Sequence, residues 1–177
     1  MKTILGVVVC LAVSVISTAA QQTSNGHKQE TEASPATCPM HDAHSQMDER
    51  GETGMGFSQS ATTHHFFLKA DGGVIQVEAN DSADAASRDE IRMHLRHIAR
   101  AFQNRDFAIP MFVHDTVPSG VPEMKRLQKE IKYTFEESAS GGRVVISSAN
   151  RDAVAAIHKF LRFQIEEHKT GDTTEVR

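Results

Sequence analysis

The sequence predicts an α+β fold, a four-stranded antiparallel sheet with helices packed on one face, and three observations carry that expectation. Strand-period segments come in adjacent pairs around Gly72-Gly73 and again around Gly141-Gly142. Each pair is followed by a segment whose apolar residues recur at helical spacing. Both halves also run strand, Gly-Gly, strand, then Arg-Asp opening a helix (Arg88-Asp89 and Arg151-Asp152), which implies an internal duplication of a ββα unit. Two hairpins and two helices close most economically as a two-layer sandwich.

The elements follow in chain order. Met1-Lys2, the apolar run from Ile4 to Ile16 and the small residues Ser17 to Ala20 have the form of a secretory signal, with cleavage expected near Ala20. The run is shorter than the ~20 residues of a membrane span, so the expected product is a periplasmic or secreted protein without a stable membrane anchor. Residues 21–56 are rich in Gln, Ser, Thr, Glu and Gly and read as a disordered arm. A domain is expected over 57–172, followed by a tail at 173–177. Within it, His64-His65-Phe66-Phe67-Leu68 and Val74-Ile75-Gln76-Val77 form a hairpin whose turn is assigned to Asp71-Gly72-Gly73. Ile91, Leu95, Ile98 and Phe102 mark a helix over 88–104. The stretch with Pro110, Pro118 and Gly120 reads as a loop, with a short helix starting near Pro122. Ile131 to Phe135 and Arg143 to Ser147 form the second hairpin. A last helix runs from the cap Asn150 to His168, with Val154, Ile157, Leu161 and Ile165 inward and Gly171 beyond its end.

Charge narrows the function. The formal net charge is −4 over 177 residues, and the basic residues are interleaved with acidic ones, so no nucleic-acid surface is indicated. Of the two cysteines, Cys10 falls in the signal, which leaves Cys38 as a lone thiol in an oxidising compartment. No Gly-x-Ser-x-Gly elbow, phosphate-binding loop, dinucleotide fingerprint, His-Glu-x-x-His pair or Cys-x-x-Cys-His attachment occurs.

Ten histidines point to metal chemistry. Neutral imidazole, thioether and thiolate together suit soft or borderline ions, copper before zinc. The first candidate set lies in the arm, at Cys38, Met40 and His41 with His44 and Met47 close by. The second lies in the domain. His94 and His97 are three apart on a helix and can share an ion, which His64 or His65 can join across the layers. Met111, His114 and Asp115 form a third, loop-borne candidate. His158 and His168 read as structural, the latter suiting the negative end of the helix dipole.

Cys38-Pro39-Met40-His41 resembles the Cys-Pro-Met-His core of the small heavy-metal-binding domain of bacterial copper-exporting ATPases and of adaptor subunits of metal-efflux pumps. That family carries an aromatic residue two before the cysteine and a proline after the histidine, where this chain has Ala36 and Asp42. The resemblance implies metal contact at Cys38, Met40 and His41. The segments Thr62-Thr63-His64-His65-Phe66, His94-Leu95-Arg96-His97-Ile98-Ala99 and Phe160 to Ile165 through Asp172 resemble a group of uncharacterised small exported bacterial proteins, which implies export and a shared fold.

The expected function is therefore a periplasmic metal-binding protein for copper sequestration, resistance or hand-over, with a metal-efflux or copper-handling protein as partner. The alternatives are a haem or small-molecule binding module, an enzyme with histidine-bound zinc or another metal that activates water, and a domain that only binds a partner.

Overall fold

The computed structural model describes residues 39–177, with side chains from Ser45 onward. The expected signal, its expected cleavage site and Cys38 lie outside the described residues, as do the side chains of Met40, His41 and His44. Five α-helices and four strands follow in the order α1 (Pro39–Met55), β1 (Thr62–Lys69), β2 (Gly72–Ala79), α2 (Ala85–Gln103), α3 (Ala108–His114), α4 (Val121–Arg126), β3 (Lys132–Glu137), β4 (Gly141–Ser147) and α5 (Arg151–His168). The strands make one antiparallel sheet in the order β1-β2-β4-β3, the expected α+β architecture.

The glycine pairs do a different job from the one their sequence suggests. Lys69 pairs with Gly72, so the first turn is Ala70-Asp71, and both glycines already belong to β2. Gly141 and Gly142 likewise open β4, after a loop at residues 138–140. Gly72 and Gly73 face Ser147 and Ile146, and Gly142 and Gly141 face Val77 and Glu78, so the two pairs sit at opposite ends of the central β2–β4 ladder. A Cβ on Gly72 would overlap the Ile146 carbonyl oxygen, and one on Gly141 would overlap that of Val77. Glycine within a strand here permits close backbone approach.

The helices cover the sheet crosswise. α2 leaves the first hairpin and lies chiefly over β4 and β3, while α5 leaves the second hairpin and lies over β2 and β1. Ile91, Leu95, Ile98 and Phe102 of α2 are buried, as are Ile157, Phe160, Leu161 and Ile165 of α5. Both helices start on side-chain caps: Asp84 accepts from the Ser87 N–H, and Asn150 accepts from the N–H groups of Asp152 and Ala153.

Two segments are more ordered than their composition suggests. Residues 39–55 of the expected arm form α1, which buries Met47 and packs on α3, where Arg50 Nε donates to the Val113 carbonyl at 2.9 Å. The expected loop around Pro110 is α3; the proline occupies the third helical position, where a missing N–H costs no intrahelical bond. The expected tail is also tied down. Asp172 accepts from the Phe66 N–H, and the Arg177 N–H donates to the Leu68 carbonyl, so the segment after α5 covers the free edge of β1.

Replacing Gly141 with Ala should destabilise the protein by about 2 kcal/mol or more, because a Cβ in the ladder overpacks against backbone. Gly171→Ala meets no atom within 4 Å and should cost only the strain of its left-handed backbone, about 1 kcal/mol. Urea unfolding of the two variants checks the order.

Candidate functional site

Where β1, β2, α2, α3 and α5 meet, and the end of α1 reaches the same corner, the structure leaves a chamber of about 70 Å³. Its floor and walls are apolar: Phe66, Ile75, Val77, Leu95, Ile98, Phe102, Val113 and Phe160. Into this lining come His64 from β1, His94 from α2, His114 from α3 and His168 from α5, together with Gln164 and Met55. No Asp, Glu, Lys or Arg lines it.

The rings pack against Phe57 and against one another. Phe57 stacks on His64 with centroids 6.0 Å apart and meets His94 edge-on at 5.5 Å. His168 lies parallel to His64 at 6.0 Å and edge-on to His114 at 4.9 Å. On the far side, His114 Nε2 is 3.1 Å from Gln164 Oε1.

Burial decides the charge of this cluster. It lowers His64 from 6.5 to about 4, with the neighbouring His65 adding a smaller push in the same direction. It lowers His94 to about 4, helped by His64 and His97, and it also lowers His114, against the opposing hydrogen bond from Gln164. At neutral pH these three imidazoles are uncharged, and each keeps a nitrogen lone pair. His64 Nε2, His114 Nδ1 and Gln164 Nε2 are buried without a hydrogen-bond partner among the described residues. Such orphaned atoms are rare in native interiors and call for an explanation.

The remaining candidates are placed elsewhere. His65 points away from the chamber and meets Asp172 through Nδ1 at 3.0 Å. His97 is exposed on α2 and does not line the chamber with His94. His158 behaves as the structural residue it was expected to be: its Nε2 lies 2.9 Å from the Lys69 carbonyl and 3.0 Å from that of Gly72. Two carbonyl acceptors require the proton on that nitrogen, so His158 staples the first hairpin to α5. His114 and His168, read from sequence as loop-borne and structural, are chamber residues. Their signal was thin, because neither lies at a short-range spacing from His64 or His94.

Among the described residues, no three groups of His, Cys, Asp or Glu are arranged to hold a metal ion as they stand. The set that includes sulfur is different in kind: Met55 brings a soft donor to the same space as His64 and His94. Met40 and Met55 are separated by 55 − 40 = 15 residues of one helix, which corresponds to ~22 Å of rise, so the start of α1 and the chamber are separate places.

No protein-family model matches the chain, and neither curated proteins nor solved structures give a match. Among the described residues no helix is long and apolar enough to cross a membrane.

Acid should destabilise the metal-free protein in a defined window. Unfolded histidines take a proton near 6.5, whereas folded His64 and His94 resist it until about 4. The unfolded state therefore binds more protons between these values, and stability falls as pH falls through the window, by up to about 3 kcal/mol for each histidine. Urea midpoints at pH 7.5 and pH 4.5 check this, and His64→Phe should flatten the dependence.

Proposed function

We propose that this is an exported metal-binding protein whose histidine chamber takes a soft monovalent cation, cuprous copper, for sequestration or hand-over. One observation carries the reading: four histidines separated by up to 104 positions (168 − 64) converge on one apolar chamber with a methionine, and a nitrogen of His64 has no other partner there. Imidazole and thioether favour Cu(I). The absence of any acidic residue from the lining argues against a divalent ion such as zinc, whose second charge would lie uncompensated in an apolar space.

Binding in this reading needs the rings of His64 and His94 to rotate until their lone pairs face one point beside the Met55 sulfur. Burial assists, because an imidazole already neutral at pH 7 loses no proton when it becomes a ligand. A chamber of about 70 Å³ suits an ion and has no room for a haem, which sets the macrocycle alternative behind the ion. The Cys38, Met40 and His41 set remains part of the proposal as a second, separate capture point, consistent with a partner in copper efflux or copper handling.

Competition titration with a chromophoric Cu(I) chelator under anaerobic conditions tests the assignment. The double variant His64→Ala, His94→Ala should bind Cu(I) at least 100-fold more weakly than the parent, while the triple variant at Cys38, Met40 and His41 should lose stoichiometry and keep the chamber's affinity. Unchanged affinity and stoichiometry in the double variant would retire the chamber as a copper site.

A further inference from the structure

On the other flank of α2 lies a groove of about 410 Å³ with a different chemistry. Arg96, Arg100, Gln103 and Asn104 line it from α2 and its end, and Tyr133 and Phe135 line it from β3. Every polar side chain there can donate a hydrogen bond, and no carboxylate lines the groove. Arg96 is committed: it pairs with Glu137, and its guanidinium carbon lies 5.0 Å from the centre of the Phe135 ring. The Arg100 side chain is exposed and has no ion pair or hydrogen bond among the described residues.

Tyr133 supplies the independent observation. It is only 9% exposed, its ring packs edge-on against Phe102 at 5.8 Å, and its buried hydroxyl has no partner. Burial raises its pKa, so the phenol stays protonated and remains a donor. A buried hydroxyl without an acceptor costs about 1–3 kcal/mol, and an acceptor arriving through the groove would remove that cost.

We propose that this groove binds a small organic carboxylate with an apolar body. The carboxylate takes the two-pronged guanidinium of Arg100 and accepts from the Tyr133 hydroxyl, and the apolar part lies on Ala99 and the Phe135 ring. Inorganic phosphate matches the charge but has nothing to lay on the apolar wall. The site shares no residue with the histidine chamber and does not depend on metal binding.

The chain contains one tyrosine and no tryptophan, so its intrinsic emission, excited at wavelengths longer than phenylalanine absorbs, comes from Tyr133 alone. Hexanoate, which does not absorb in this range, should change that emission saturably at millimolar concentration or below, with matching heat in calorimetry. Arg100→Gln, an exposed change that leaves the core intact, should weaken binding at least tenfold. Tyr133→Phe should weaken it about fivefold by calorimetry. Hexanamide, acetate and phosphate should bind at least tenfold more weakly than hexanoate. The proposal is overturned if hexanoate gives neither saturable emission nor heat, if Arg100→Gln binds as tightly as the parent, or if phosphate competes equally. Retained hexanoate binding in the His64→Ala, His94→Ala variant is expected, and its loss would also overturn the separate site.

Discussion

The central ladder between β2 and β4 is the contact on which the rest of the molecule depends. It joins two hairpins that are distant in sequence, and it does so at full length only because glycines occupy both of its ends. With the hairpins joined, α2 and α5 can each lie across the strands of the other half. Neither ββα unit buries its own helix fully, so neither has a self-sufficient core. Cooperativity between the halves follows from that exchange.

The same exchange creates the chamber. α2 and α5 approach the sheet from opposite hairpins and leave a corner that α3 and the end of α1 close. A corner lined by Val, Ile, Leu and Phe side chains is a poor solvent for charge, and histidine is the residue whose protonation responds most strongly to that near neutral pH. Placing several histidines there exchanges stability at acidic pH for a store of unprotonated nitrogen donors. His158 and His65 show the contrast. Both lie outside the chamber with an acceptor within hydrogen-bond distance, whereas His64 Nε2, inside it, has none among the described residues.

Much of the fold was legible in the sequence, for physical reasons that also explain the misreadings. Alternation in Phe66 to Leu68 and Tyr133 to Phe135, and the three- and four-residue spacing of Ile91, Leu95 and Ile98, reflect faces buried against one partner layer, which local pattern records directly. Gly72-Gly73 was misread as a turn because a turn and a close strand contact select the same residue, and the second depends on Ile146 and Ser147 more than 70 positions away. α1 escaped notice because its sequence is polar nearly throughout; what ties it down is the burial of Met47 and the bond from Arg50 to α3. In the site, His64 and His94 were visible as members of local pairs, but their pair-mates do not line the chamber: neighbours on a strand point to opposite faces, and His97, although only about 60° from His94 around the helix, lies on its exposed side. His114 and His168 join through tertiary packing that no spacing encodes.

α2 is the element that both candidate sites use, and its geometry explains how two chemistries coexist beside one helix. At about 100° per residue, His94 and Arg96 project some 200° apart, so the apolar flank carrying Ile91, Leu95 and Ile98 faces the chamber while the arginine flank faces β3. Arg92, Arg96 and Arg100 continue that basic flank at four-residue intervals; Arg92 lies beside Asp89 and Glu137 and Arg96 pairs with Glu137, whereas Arg100, on the groove that Tyr133 also lines, has no ion pair among the described residues. A residue spent only on solubility would gain nothing from this placement. The unpaired cation and the unpaired hydroxyl stand beside one groove, and a single anionic group can satisfy both, which is why the groove is better explained as a binding surface than as incidental surface charge.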